Sequence, residues 1–365
     1  MKPSLHLGAL AASPLLLFPQ SPAGWTPERP WPQASAWAGS RSCAGCHADL
    51  YRRQEVSNHA RSLRPPAEIA EFNQGLPYSH HDRSSGATLT LEPGPVLKTE
   101  KDAGSQSLVL EWAFGSGKKG ITPLGRAQSG GAMVESRLSW YSNGGFGVTT
   151  GAGQREPRSF AESLGRTLTE KEAQDCFGCH TTGYTPGQPA PARHEMGIRC
   201  ERCHGPGAEH IRLMGSAGKP PDAAGQRRIL HPGRLDAASQ VSMCGVCHGR
   251  TPADTDVALL ARIERDPNTV RFPSQRLVLS RCYNESTDGL ACSRCHDPHT
   301  NVSALAADND RACLACHSKP RRTCPAATRD CASCHMPSEQ VTLHSRFTDH
   351  YIRVRVRGQG TKGRR

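Results

Sequence analysis

The sequence predicts a mainly α-helical and irregular fold packed around flat covalent cofactors, with a small antiparallel β region in a cofactor-free segment. Three observations predict it. Fourteen of the sixteen cysteines fall in seven Cys-x-x-Cys-His motifs. Six of these motifs crowd into the C-terminal half, starting at residues 176, 200, 244, 292, 313 and 331. A long stretch free of such motifs separates them from the first, at residue 43, and there apolar and polar residues alternate.

The motif spacing specifies c-type haem attachment. Two cysteine sulfurs form thioethers with the two vinyl groups on one porphyrin edge, and two intervening residues match that separation. The next residue, a histidine, is then held under the iron as proximal ligand. The thioether pairs are Cys43 and Cys46, Cys176 and Cys179, Cys200 and Cys203, Cys244 and Cys247, Cys292 and Cys295, Cys313 and Cys316, and Cys331 and Cys334. The proximal histidines are His47, His180, His204, His248, His296, His317 and His335. Zinc ribbons also use Cys-x-x-Cys knuckles but do not require a histidine after each one. A disulfide framework does not explain the histidines either. The expected cofactor complement is therefore seven covalently bound haem c groups.

Two cysteines lie outside the motifs, Cys282 and Cys324. A disulfide between them is the simple expectation in an oxidising compartment, and two buried thiols are the alternative.

The chain opens "MKPSLHLGALAASPLLLFPQSPAG". Lys2, an apolar run over 7–18 and the small residues Ser21 and Ala23 form the pattern of a cleaved secretory signal. No later stretch approaches the roughly 20 apolar residues of a membrane span. The mature chain is expected to be exported, to the periplasm or beyond, with no transmembrane segment. The formal charge of +12 raises nucleic acid as a partner, but aromatics are only 5% and no basic run is interleaved with them. Two propionates on each of seven haems would roughly cancel that charge, so no nucleic-acid partner is expected.

Five regions follow: a signal peptide (1–23), an N-terminal single-haem module (24–64), a haem-free β-rich region (65–170), a six-haem cytochrome region (171–350) and a basic tail (351–365). In the first module residues 48–62 read as a helix stopped by "RPP". The segments "GATLTLEP", "QSLVLEWAFGSG" and "AMVESRLSWYS" read as strands of the β region. "GSGKKG" lacks the Lys-Ser/Thr end of a phosphate loop and reads as a hairpin turn. Residues 171–350 read as short helices and loops around porphyrins, and "IRVRVR" in the tail allows an edge strand.

Each iron has a second axial position. Setting aside His6 in the signal, nine histidines remain as candidate distal ligands: His59, His80, His81, His194, His210, His231, His299, His344 and His350. In "CERCHGPGAEH", the "GPG" turn and a helix starting at "AEHIRLM" carry His210 away from the haem of His204. A neighbouring haem is its expected destination, and a surface or proton-handling histidine is the alternative. The adjacent pair His80 and His81 could instead serve as acid–base groups beside an open iron.

The stretches "CAGCHADLYRRQEVSNHA", "IRCERCHGPGAEH", "CSRCHDPH" and "CASCHMP…HSRFTDHYIR", with the connecting "LSWYSNGGFGVTTGAGQR", resemble the exported multihaem cytochromes of the cytochrome c-554 type. The resemblance covers most of the mature chain. It implies bis-histidine haems whose distal ligands are donated across motifs. By position His59, His210, His299 and the pair His344/His350 match the ligand-bearing motifs, and His80, His81, His194 and His231 match less closely. Seven motifs depart from the four-haem member that gives the family its name. The implied function is electron transfer between redox partners, either other redox proteins or a quinol-linked membrane complex. The alternative is an oxidoreductase acting on a small nitrogen or sulfur compound at one haem with an open axial position.

Overall fold

The structure is a computed structural model that describes residues 37–354, apart from 128–130, 152–154, 186, 189, 216–227, 253–255, 287–288, 319–323 and 325–326. The expected signal peptide (1–23) and most of the basic tail lie outside the described residues.

The β region is far larger than the three segments read from the sequence. Ten strands form one antiparallel sheet: β1 (Leu63–Arg64), β2 (Tyr78–Asp82), β3 (Ala87–Glu92), β4 (Val96–Lys101), β5 (Gly104–Phe114), β6 (Gly120–Arg126), β7 (Met133–Ser136), β8 (Leu138–Tyr141), β9 (Gly145–Val148) and β10 (Gly165–Thr167). The main order is β10-β7-β6-β5-β4-β3-β2. β1 adds to β5, and β8 and β9 continue from β6. This corrects the expectation of a mainly helical fold with a small β region. The strands that pattern reading passes over are short, or hold Gly, Pro or runs of charge. β6 reads "GITPLGR" and β4 reads "VLKTEK", and neither shows clean alternation of strand-forming residues.

The register explains how such strands hold. Leu91 pairs with Leu97 and Leu97 with Leu108, which places three leucines on one face. With Leu89, Ile121, Leu138, Ile69 and Phe72 they form a fully buried core. Each such side chain contributes on the order of 2 kcal/mol when removed from water. Opposite the bulge between Leu110 and Trp112 sits Gly125. A Cβ there would lie 2.1 Å from the Val109 carbonyl oxygen, so only glycine permits this strand approach. "GSGKKG" joins β5 to β6 as the expected hairpin turn.

A second core sits where the sheet meets the helix Glu170–His180: Leu63, Trp112, Phe114, Leu124, Leu168, Ala173 and Phe177. Thr169 caps that helix in a reciprocal box with Glu172. Beyond residue 180 come short helices, including Cys200–His204, Ala208–Met214, Ala237–His248, Val257–Arg265, Pro273–Leu277, Arg281–Glu285, Ala306–His317 and Cys331–His335. The apolar cluster of this half centres on Val241, Leu277 and Val278. So small a side-chain core fits a region built to pack around large flat cofactors. A final hairpin, β11 (Ser338–Thr342) with β12 (Ser345–Thr348), precedes the tail.

Two further expectations change. The first-module helix spans Ala48–Glu55 only, and turns carry the chain on to β1. The described residues of the tail, 351–354, form no strand.

Buried at the edge of the sheet, Arg137 donates to both Asp82 oxygens at 2.9 and 3.3 Å. Ser84 and Ser85 also donate to that carboxylate. Burial pushes the Asp82 carboxyl up, but the bonds from Arg137 and Ser84 outweigh it and hold it down at about 2. The folded value is below the unfolded one of about 3.9, so the pair stabilises fully above that value and its contribution is lost as pH falls from about 4 to about 2. Asp82→Asn is expected to cost about 3 kcal/mol, because it leaves a buried guanidinium without its counter-charge. The variant should also lack the wild type's loss of protection between about pH 4 and 2; amide exchange of β2, β3 and β7 measures both effects.

Candidate haem-binding site

Every described motif is wound on a helical turn. Cys176–His180, Cys244–His248 and Cys313–His317 are the last turns of longer helices, while Cys200–His204 and Cys331–His335 are short helices of their own. Cys43 lies within the 3-10 turn Ser40–Gly45 and Cys292 starts the turn Cys292–Arg294, and just beyond them the His47 and His296 amides donate to the Cys43 and Cys292 carbonyls at 2.9 and 3.0 Å. Residues three and four apart share one helix face. The two thiols and the histidine ring of each motif therefore point to one side, as attachment to a single porphyrin edge and iron requires.

Three pairs of histidine rings face each other across motifs. His59 lies 5.9 Å from His248, centroid to centroid. His299 lies 6.0 Å from His204, and His350 lies 6.1 Å from His296. Two imidazoles bound to one metal on opposite sides, each through a bond of about 2 Å, have centroids about 6 Å apart. One ring of each pair is a motif histidine and the other is not. The residues fit a haem iron between two histidines.

Hydrogen bonds orient these rings by the nitrogen that faces away from the metal. Nδ1 of His350 lies 3.0 Å from the Thr348 carbonyl, Nδ1 of His204 2.9 Å from that of Leu230, and Nδ1 of His59 3.3 Å from that of Pro298. Nδ1 of His299 lies 2.8 Å from the Asp297 carboxylate. Nδ1 of His180 and His335 likewise meet the carbonyls of Ser62 and Arg353. In each case Nε2 is the atom that would ligate an iron. Burial, with the neighbouring rings of His59, His350, His296 and His180, pushes His248 down to about 4. Burial also lowers His180, His204, His296 and His350. A neutral imidazole is the form that binds a metal.

The other distal candidates lie on the following elements. His80 and His81 lie on edge strand β2, paired with Leu89 and Thr88. His194 is exposed on a 3-10 turn, and His231 is exposed just before another. His210 is half-buried on the expected helix Ala208–Met214, and the ring facing His204 is that of His299. His344 stacks on Tyr141 at 4.2 Å and 18°, against Gly144 and Gly147 of the sheet. Cys282 is half-buried and electrostatically close to Cys316, while Cys324 is exposed.

Sequence reading missed the residues that join motifs to one another and to the sheet. Phe177, inside the second motif, is fully buried and packs edge-on against Trp112 at 5.5 Å. His180 meets Phe114 edge-on at 5.2 Å. Thiols of different motifs are close enough to shift one another's ionisation: Cys43 and Cys200, Cys179 and Cys247, Cys244 and Cys292, and Cys313 and Cys331. Arg202 of the third motif donates to the Gly178 carbonyl of the second at 2.7 Å.

Glu201, also inside the third motif, is buried. Its carboxylate accepts from the amides of Ala38 at 2.8 Å, Gly39 at 2.9 Å and Gly207 at 2.8 Å. It thus ties the segment before the first motif, and the "GPG" turn, to the third. Its identity within "CERCH" gave no signal, because its partners are backbone amides, two of them far away in sequence.

A set of helical Cys-x-x-Cys-His turns joined by cross-motif histidine pairs defines a c-type cytochrome with several haems. The comparisons agree. Residues 150–205 match the family described as cytochrome c554 and c-prime, and residues 286–322 match that of the doubled CXXCH motif. The crystal structure of the outer cell wall cytochrome OcwA is similar in fold, with a TM-score of 0.50 at 15% identity, covering 87% of this chain and 79% of that one. No curated protein matches the sequence. These findings support a multihaem c-type cytochrome. Among the described residues no helix is long and apolar enough to cross a membrane.

Glu201→Ala strands three amides, each worth about 1 to 3 kcal/mol when buried without a partner. Hydrogen exchange is expected to quicken over residues 38–45 and 205–209, with strands β3 to β6 unchanged.

Proposed function

We propose that the chain is an exported heptahaem cytochrome that passes electrons between redox proteins through closely spaced bis-histidine haems. The observation that carries this reading is the set of three cross-motif histidine pairs at 5.9 to 6.1 Å. Their donors come from the first module, from just after the fifth motif and from the segment after the C-terminal hairpin, so the motifs share ligands as a continuous array would. The bound haem supplies a one-electron centre whose potential depends on its axial ligands and on hydrogen bonding around it.

The chain's own residues do the rest. The cysteine pairs anchor each porphyrin edge. The proximal histidines His248, His204 and His296, with His59, His299 and His350 opposite them, would hold three irons from both sides and leave no place for a substrate there. Carbonyls behind Nδ1 fix the ring orientation and raise ligand basicity. Electrostatic proximity between thiols supports a neighbour order of first, third, fourth, fifth, sixth and seventh motif, with the second beside the fourth. OcwA, similar in fold, is an outer cell wall cytochrome, which supports an exported location for this chain, as does the N-terminal signal pattern.

Intact mass of the purified holoprotein is expected to show seven covalent haems and loss of residues 1–23. Its ferric electron paramagnetic resonance spectrum is expected to be low-spin throughout, with no change on adding cyanide, nitrite or hydroxylamine. A high-spin fraction near one-seventh that binds one of these would instead assign catalysis at an open iron. His59→Ala and His299→Ala should each turn one haem high-spin while keeping all seven thioether-bound. An unchanged spin state in either variant would remove that histidine from the ligand set.

A further inference from the structure

Between the helices Pro273–Leu277 and Arg281–Glu285 and the C-terminal "TDHYIR" lies a buried polar bracket. Arg276 and Asp349 side chains are 3% and 1% exposed. Arg276 Nε donates to Asp349 Oδ1 at 2.8 Å, and Nη2 to Oδ2 at 2.7 Å. Its Nη1 donates to the carbonyls of Ile263 and Glu264, both at 3.0 Å. The Asp349 carboxylate further accepts from the Tyr351 amide at 3.0 Å and from Arg353 at 3.2 Å. One turn after Arg276, Ser280 Oγ donates to the His350 carbonyl at 3.1 Å and accepts from the Ile352 amide at 2.8 Å. The residue thus held from before, behind and after is His350, whose ring lies 6.1 Å from His296.

We infer that Arg276 is a positioning residue for the histidine opposite His296: through Asp349, and with Ser280, it fixes the backbone that presents His350 to the fifth motif's haem. The inference rests on the reading of His350 as that haem's distal ligand. Stability alone does not explain the bracket. A fully buried ion pair is often no more stabilising than apolar residues of similar size, because both charges lose their hydration. What a two-pronged guanidinium–carboxylate contact adds is geometry. Hinged on flexible residues, a single imidazole would leave the iron readily. Pinned at its carbonyl and at both neighbours, it stays in reach.

The test uses the haem-loaded, full-length protein. Arg276→Met combined with Asp349→Leu replaces the buried pair with apolar groups, and the remaining partner of Asp349, Arg353, is partly exposed and can turn to water. His350→Ala run beside it provides the spectral fingerprint of a fifth-motif haem without its distal ligand. The double variant is expected to keep seven haems and to show that same high-spin signal, at up to one-seventh of the iron. Added imidazole should restore the low-spin spectrum in both variants. Arg276→Lys, which cannot form the fork, should give a smaller high-spin fraction. If His350→Ala shows no high-spin haem, the reading of His350 as ligand falls. If His350→Ala shows it and the folded double variant stays low-spin, the positioning role falls. Should the double variant fail to take up haem, Ser280→Ala decides the same question: a high-spin signal matching that of His350→Ala supports the role, and a wild-type spectrum overturns it.

Discussion

The structure depends on one requirement: an imidazole must be brought to the far side of a site whose near side a Cys-x-x-Cys-His turn already fixes. The near side is local, because three side chains of one helical turn meet it. The far side is not. His59 reaches His248 and His299 reaches His204, so a ligand set closes only when segments remote in sequence are packed correctly. Much of the tertiary structure serves that end. The Ile198 amide donates to the His59 carbonyl at 2.9 Å, and Gln54 donates to the Ile198 carbonyl at 2.6 Å. The approach to the third motif thereby holds the first module in place while His59 points to the fourth.

The sheet answers a related need. Porphyrin-packed helices have few side chains with which to fix themselves, and the apolar cluster in the helical half is small. The sheet carries the large cores and lends one of them to the second motif. Phe177 sits between the two thioether cysteines with its ring buried against Trp112 and Phe114. The Ser62 carbonyl, on the chain leading into β1, takes the Nδ1 side of His180. At the other end, Tyr141 and the glycines of the β8–β9 hairpin receive the His344 ring. The sheet thus meets the haem-bearing half at its first helix and at its last hairpin.

The motifs are legible in the sequence because their chemistry is complete within five residues. The ligand pairs are legible only as a pool, since spacing does not say which histidine meets which motif. His344 and His350 are equally good in the sequence. In the fold, His344 stacks on an aromatic ring while His350 faces another imidazole, and Asp349 beside His350 is buried against Arg276, an arginine with no signal of its own. The sheet is legible where strands alternate, as in β3 and β5. It is hidden where the strand is dictated by its neighbours, as in β6, where Pro123 and Gly125 would ordinarily mark turns. His80 and His81 qualify as ligands by residue type, yet their place is a strand edge. The motifs point to a helical fold because the cofactor-binding half holds nearly all of them, and motif count is no measure of how the remaining residues fold.

Order in space also departs from order in sequence. The first motif touches the third, not the second, through Cys43 and Cys200. The fourth motif is the common neighbour: Cys247 meets Cys179 of the second, Cys244 meets Cys292 of the fifth, and His248 faces His59 of the first module. A linear array with each motif beside the next would have been buildable with short local connections. Instead the chain returns to one helix, Ala237–His248, from both directions. That arrangement brings the N-terminal and C-terminal groups of motifs together at the fourth motif, and the rings of His204 and His299 bring them together again at the third. Burial of Val241 and Met243, and the Asp236 cap that starts the helix at Ser239, hold this common neighbour in place.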